Sequence, residues 1–254
     1  MSDLALPGIA GRAALVTGAS RGIGAAIARE LAARKARVVL TGRDEAALQA
    51  IAADIRARGG EVAHFTADVT DEDAVQSLRE AAERAFGAVT LLAICAGGGG
   101  RGSALVEEAT TAWRRTLEAN LTSAFLTLKA FLPPMYEARH GAVVLMSSSA
   151  GRQLSGASAA YAAAKAGVQS LMRQAAADAA PKGVRVNAIA PSAIMTEQLA
   201  AQPASVREEI ASGFPLGRLG RLDDVSDATL FLLSEAASWI TGVTLDLAGG
   251  RVMV

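Results

Sequence analysis

The chain is predicted to be an α/β protein built on a doubly wound, seven-stranded parallel sheet with helices on both faces. Three observations predict it. Short apolar runs alternate with helix-like segments from one end to the other. The runs are apolar without strict alternation, as in strands covered on both faces. The first run ends in a glycine-rich turn that opens a helix.

The elements follow in order. A strand at Ala13–Thr17 leads through the glycine turn to a helix from Gly22 to about Arg34. Arg37–Thr41 is the second strand, followed by a helix from Asp44 to Arg58 with Asp44 as its cap. Glu61–Thr66 and then a helix from Asp71 to Phe86, capped by Asp71 or Thr70, make the third pair. Val89–Cys95 is the fourth strand, and glycines 97 to 100 follow it. A long helix is expected over Glu107 to Ala138, broken near its end by Pro133–Pro134. Strands at Ala142–Met146 and Val184–Ile189 enclose a helix at Ala159–Ala180. Helices at Ala204–Ser212 and Asp223–Leu233 precede a last strand at Val243–Leu247.

Bulk properties narrow the class of function. The 254 residues suit one domain, expected to span 1–254, with a substrate-side loop at about 192–215. Half the residues are hydrophobic and the formal charge is zero, so neither disorder nor a nucleic-acid partner is expected. No apolar run is long enough for a membrane span, and the start carries no basic-then-apolar leader. With one cysteine, Cys95, no intrachain disulfide forms, so a cytoplasmic location is expected. His64 and His140 are far apart in sequence, and no metal site is expected.

The turn reads Thr17-Gly-Ala-Ser-Arg-Gly-Ile-Gly24, with glycines at 18, 22 and 24. Glycines there let the backbone approach a pyrophosphate, which a helix N-terminus favours electrostatically. Ser20, Arg21 and Ile23 belong to the same turn. Such turns also serve plain strand-to-helix connections, and the position after the first strand decides for a dinucleotide. The second strand ends in Gly42-Arg43, with no carboxylate where an NAD enzyme usually places one. Arg43 and Arg21 suit a 2′-phosphate in charge and fork geometry, so NADP is expected. A phosphate-transfer module would need a lysine that this turn lacks.

Tyr161-Ala-Ala-Ala-Lys165 sets a phenol and an ammonium on one helix face, and Ser148 lies thirteen positions upstream, just past a strand. With the glycine turn, these residues resemble the classical short-chain dehydrogenase/reductase family, a Rossmann-type fold, over Gly11 to about Gly250. The closest look is to 3-oxoacyl-[acyl-carrier-protein] reductases. The resemblance implies Tyr161 as proton donor to a carbonyl, or base in reverse, and Lys165 as the group that lowers its pKa and holds the nicotinamide ribose. It implies Ser148 as hydrogen-bond donor to the substrate oxygen. Asn120 resembles the asparagine that supports a water chain to solvent. Asp68 and Val69 would frame the adenine, Ala96 and Gly97 the adenosine ribose, and Pro191, Ile194 and Thr196 the carboxamide.

Two departures stand out. Cys95 replaces an asparagine that stabilises the central sheet, and Ser192 replaces the glycine of a Pro-Gly pair. The implied function is reduction of a carbonyl to an alcohol, with a 3-oxoacyl thioester as one substrate class. A sugar, polyol or secondary-alcohol dehydrogenase is the rival. A non-catalytic NADP sensor would have lost Tyr161 or Lys165, and both are present. Arg139 and Lys182 are expected near the active-site mouth, where they would attract an acidic carrier protein. Met195, Leu199 and Phe214 suggest a partly apolar substrate pocket. Small apolar positions on the Ala159–Ala180 helix, including Ala163, Ala166, Leu171 and Ala177, suggest pairing with Glu107–Leu132 of a second subunit. With the apolar chain end, this gives an expected homotetramer of D2 symmetry.

Overall fold

The computed structural model describes residues 6–99, 102 and 104–253. Seven parallel strands form one sheet in the order β3-β2-β1-β4-β5-β6-β7. They are β1 Ala13–Thr17, β2 Arg37–Gly42, β3 Glu61–Thr66, β4 Val89–Ile94, β5 Gly141–Met146, β6 Val184–Pro191 and β7 Thr244–Leu247. The order reverses between β1 and β4, which opens a crevice beyond their carboxyl ends.

Helices cover both faces: α1 Gly22–Ala33, α2 Glu45–Ala57, α3 Glu72–Phe86, α4 Thr110–Leu117, α5 Ser123–Ala138, α6 Ala159–Ala179, α7 Glu197–Ala200, α8 Ala204–Ser212 and α9 Leu222–Leu233. Alternating side chains feed two cores. Ala14 and Val16 of β1 pack with α1, α2 and α9, whereas Ala13 and Leu15 pack with α3, α5 and α6. Asp44 and Asp71 cap α2 and α3 as expected, accepting from Ala47 N and from Asp73 and Ala74 N. No helix among the described residues is long and apolar enough to cross a membrane.

The expected long helix does not begin at Glu107; helical backbone runs without a gap from Thr110 to Ala138. A 3₁₀ turn at Leu105–Glu107 is followed by extended backbone at Glu108 and Ala109, and α4 and α5 are separated by a π-type turn, Glu118–Thr122. Nor do Pro133 and Pro134 break α5, which runs through both. The two missing N–H groups would have served the carbonyls of Lys129 and Ala130, positions that are exposed and half-buried. Burial of Phe131, Leu132 and Met135 on the opposite side holds the helix together. At smaller scale, β4 stops at Ile94, β6 runs on to Pro191, and Val243 lies outside β7.

Candidate active site

A cleft of about 1070 Å³ opens along the carboxyl ends of β1, β2, β4, β5 and β6. Of the predicted site residues, Gly18, Ser20, Arg21, Ile23, Gly24, Arg43, Asp68, Val69, Ala96, Gly97, Ser148, Tyr161, Lys165, Pro191, Ile194 and Thr196 line it. Gly22 and Asn120 stand behind the lining.

The glycine turn is built for close approach. Gly18 and Gly22 take positive φ, +64° and +54°, and a Cβ at Gly24 would stand 2.3 Å from the Gly18 carbonyl oxygen. Arg21 gives α1 no side-chain cap, so the N–H groups of Ile23 and Gly24 have no partner among the described residues. Arg21 and Arg43 are exposed at the cleft and make no ion pair among the described residues. Asp44 lines the cleft too, but its carboxylate is engaged in capping α2. A helix N-terminus with two unpartnered N–H groups, two exposed guanidinium groups and a glycine cradle fit an anionic dinucleotide. Asp68 turns inward on Thr70, whose backbone N–H and hydroxyl hold its carboxyl below the usual range.

The other wall is made by the end of β5 and one face of α6. Ser158 caps α6 by accepting from Tyr161 N, which fixes the first turn beside the cleft. Burial pushes the Tyr161 phenol up, and its hydrogen bond with Ser148 pulls the other way. Lys165 is 4 % exposed; its Nζ donates to the Met146 carbonyl at 2.8 Å and lies 5.6 Å from the Tyr161 ring centre. Burial brings its pKa down to about 8. Desolvation is the largest influence on the Tyr161 phenol here, and the Lys165 ammonium is turned to a backbone carbonyl.

Three further residues set this wall, and sequence reasoning did not single them out. The buried Ser147 hydroxyl donates to the Lys165 carbonyl at 2.9 Å and accepts from Gln169 Nε2 at 2.9 Å. Gln169 sits four residues beyond Lys165, and that spacing of polar residues in an alanine-rich helix was the available signal. Gly151 lets the β5 end come this close, since a Cβ there would be 2.6 Å from Ala166 N. Across the crevice, Thr17 Oγ1 accepts from Cys95 N and Ala96 N at 3.0 and 3.1 Å. The backbone after β4 is thus satisfied despite the cysteine. Cys95 itself lies half-buried at the foot of the cleft, its thiol pushed up to about 12 by burial, and is no nucleophile.

Asn120 is 1 % exposed in the π-type turn. Its amide nitrogen donates to Gly98 O and Thr116 O, both at 2.9 Å, while its oxygen accepts from Gly98 N at 3.0 Å. It pins the glycine segment after β4. A Cβ at Gly99 would press on the Tyr161 ring, 2.6 Å from Cδ2, so that segment roofs the phenol. Gly100 and Arg101 lie outside the described residues.

Two expectations about the surroundings are corrected. Arg139 directly precedes β5 and Lys182 precedes β6, so both stand at the amino-terminal edge of the sheet, opposite this subunit's own cleft. Both are engaged there, Arg139 with the Pro181 carbonyl and Lys182 over the Tyr136 ring at 4.0 Å. Met195, Leu199 and Phe214 do not line the main cleft. Met195 faces a separate cavity of about 380 Å³ beside α8, and Phe214 is 5 % exposed in packing.

Comparison with known proteins accords with this geometry. Residues 18–251 match the family model described as enoyl-(acyl carrier protein) reductase. Over 243 residues the chain is 42 % identical to cis-4-hydroxycyclohexanecarboxylate dehydrogenase of Sinomonas cyclohexanicum, covering 96 % of this chain and 97 % of that one. It is 39 % identical over 244 residues to the 3-oxoacyl-[acyl-carrier-protein] reductase of Escherichia coli (strain K12), covering 96 % and 98 %. The solved 3-oxoacyl-[acyl-carrier protein] reductase from Brucella melitensis ATCC 23457 superposes with a TM-score of 0.92 at 32 % identity, covering 100 % of this chain and 98 % of that one.

Proposed function

The chain belongs to the short-chain dehydrogenase/reductase family and is an oxidoreductase acting on CH–OH and C=O groups; from that premise we propose that it reduces a ketone with NADPH. The observation that carries the reading is the Tyr161 phenol at the cleft wall, with Ser148 beside it and Lys165 one helical turn on. A phenol placed there is suited to donate to a carbonyl oxygen and to take the proton back in reverse.

In this reading Tyr161 donates its proton to the carbonyl oxygen and takes it back in the reverse reaction. The Ser148 hydroxyl donates a hydrogen bond to the same oxygen and stabilises the charge developing there. Lys165 holds the nicotinamide ribose, and the Ser147–Gln169 pair fixes the backbone from which it projects. Asn120 acts through Gly98 and keeps the roof over Tyr161 in place. When bound, the nicotinamide supplies the hydride. Its diphosphate would lie at the N-terminus of α1, its adenine by Asp68 and Val69, its ribose by Ala96 and Gly97, and its carboxamide by Pro191, Ile194 and Thr196.

NADPH is preferred over NADH because Arg43 at the end of β2 and Arg21 in the glycine turn are exposed at the cleft and Asp44 is spent on its helix. A panel of acetoacetyl thioesters, cyclic ketones and polyols, each with NADPH and NADH, tests the reading. Turnover of a ketone with NADPH is expected. Equal use of both cofactors would sink the NADP assignment, and turnover of polyols alone would favour the dehydrogenase reading. Arg43→Ala should weaken NADPH by about 1.5–3 kcal/mol and leave NADH nearly unchanged.

The working unit is a cytoplasmic homotetramer in this proposal. Ala163, Ala166 and Ala177 are exposed on α6, Phe125 is 48 % exposed on α5, and Trp239 is 99 % exposed toward the chain's end. Two separate surfaces of this kind suit two-fold axes in D2 symmetry. Light scattering after size exclusion at micromolar protein checks it, and a single monomer mass would reject it.

A further inference from the structure

The segment 197–213, comprising α7 and α8, has no buried residue in either helix. Its internal hydrogen bonds close on themselves, as with Arg207 to the Ala200 carbonyl. Among the described residues, apart from the bonds to its own chain neighbours (Ala200 N to the Thr196 carbonyl and Phe214 N to the Ala211 carbonyl), one hydrogen bond ties it to the rest of the molecule: Gly22 N donates to Glu197 Oε1 at 3.3 Å. That amide is the first N–H of the twelve-residue α1. Its neighbours, Ile23 and Gly24 N–H, have no partner among the described residues. The segment's tether therefore rests on the anion-binding end of α1.

We infer that Glu197 is a latch: its carboxylate occupies the N-terminus of α1 in competition with the cofactor's diphosphate, so cofactor binding must displace it and release the tether of 197–213. The inference rests on the cofactor reading above. A carboxylate and a diphosphate are drawn to the same amides and the same helix-end field, and they repel each other. Thr196, immediately before Glu197, is held from behind by the bridge between Ile194 and Gly220. The hinge therefore falls at the Thr196–Glu197 boundary, next to the proposed carboxamide contact. Arrival of the dinucleotide is thereby transmitted to α7 and α8.

The test is a fluorescence titration of the full protein with NADPH, in the unmodified form and in Glu197→Gln and Glu197→Ala. Glutamine keeps an acceptor for Gly22 N but removes the charge; alanine removes both. Removing the charge should tighten NADPH by roughly tenfold at low ionic strength, less in high salt. Adenosine 2′-monophosphate, which carries no 5′-phosphate, should bind all three forms alike. Amide hydrogen exchange across 197–213 in the free protein should rise in Glu197→Ala. Unchanged or weaker NADPH binding in both variants overturns the latch, as does equal tightening of adenosine 2′-monophosphate or unchanged exchange. An unmodified protein that binds neither NADPH nor NADH overturns the cofactor reading and the latch with it.

Discussion

Helix α6 and the 197–213 segment flank one cleft but are held in opposite ways. Nine residues of α6 are buried, among them Lys165 and Gln169, and a hydrogen-bonded serine locks its backbone to β5. Neither α7 nor α8 buries a residue. Groups that move protons need positions fixed to fractions of an ångström, whereas a segment outside the cleft lining needs none of that rigidity. The contrast predicts that substitutions in α6 act on rate or global stability, and those in 197–213 mainly on binding.

The largest expected effect is on rate. Tyr161→Phe keeps the ring and removes the transferable proton, so kcat should fall by about 10²–10⁴. Melting temperature should barely move. Retention of most activity would assign the proton donor elsewhere.

Lys165→Met probes the same helix through pH. The folded pKa of Lys165, about 8, lies below its ordinary 10.5. Below pH 8 the ammonium is charged in both states and the cost of burying it is fully present. Between pH 8 and 10.5 the folded protein sheds the proton first, so stability recovers as pH rises. The stability of Lys165→Met relative to the unmodified protein should thus be highest below pH 8 and decline toward 10.5, by at most about 3 kcal/mol. Denaturant unfolding at several pH values reads this difference. A difference constant in pH would contradict the burial of charge.

A matched pair of glycines gives the smallest and sharpest test. Gly151→Ala forces a Cβ to 2.6 Å from Ala166 N and 2.7 Å from the Lys165 carbonyl carbon, and backbone cannot step aside. It should cost about 1–3 kcal/mol or more. Gly213→Ala places its Cβ 3.4 Å from the Ile210 carbonyl oxygen at an ordinary φ of −78°, and should be neutral or stabilising by about 0.4–1 kcal/mol. Equal destabilisation by both would erase the distinction between the two regions.

The same contrast separates what the sequence discloses from what it hides. Period and punctuation place all seven strands within a residue or a few at each end, since each is an apolar run bounded by turn residues. Tyr161, Lys165, Ser148 and the glycine turn are legible because chemistry demands those residue types at fixed spacings. Residues 107–138 read as one helix because a π-type turn inserts a residue without changing composition. Arg139 and Lys182 misled because the resemblance placed them at the mouth, although in a parallel sheet a residue just before a strand lies at the amino-terminal edge. Gln169 and Glu197 were passed over because their partners, Ser147 and Gly22, are 22 and 175 positions away. Such pairings exist only after folding.

The π-type turn at Glu118–Thr122 also constrains how this chain can vary in length. Each residue of a helix advances the face by about 100°, so an inserted residue offsets everything on one side from everything on the other. A one-residue deletion between 118 and 122 would straighten the backbone ladder while swinging α4 by that angle about its axis. Asn120 would lose either Thr116 or Gly98 as a partner, and the roof over Tyr161 would come loose.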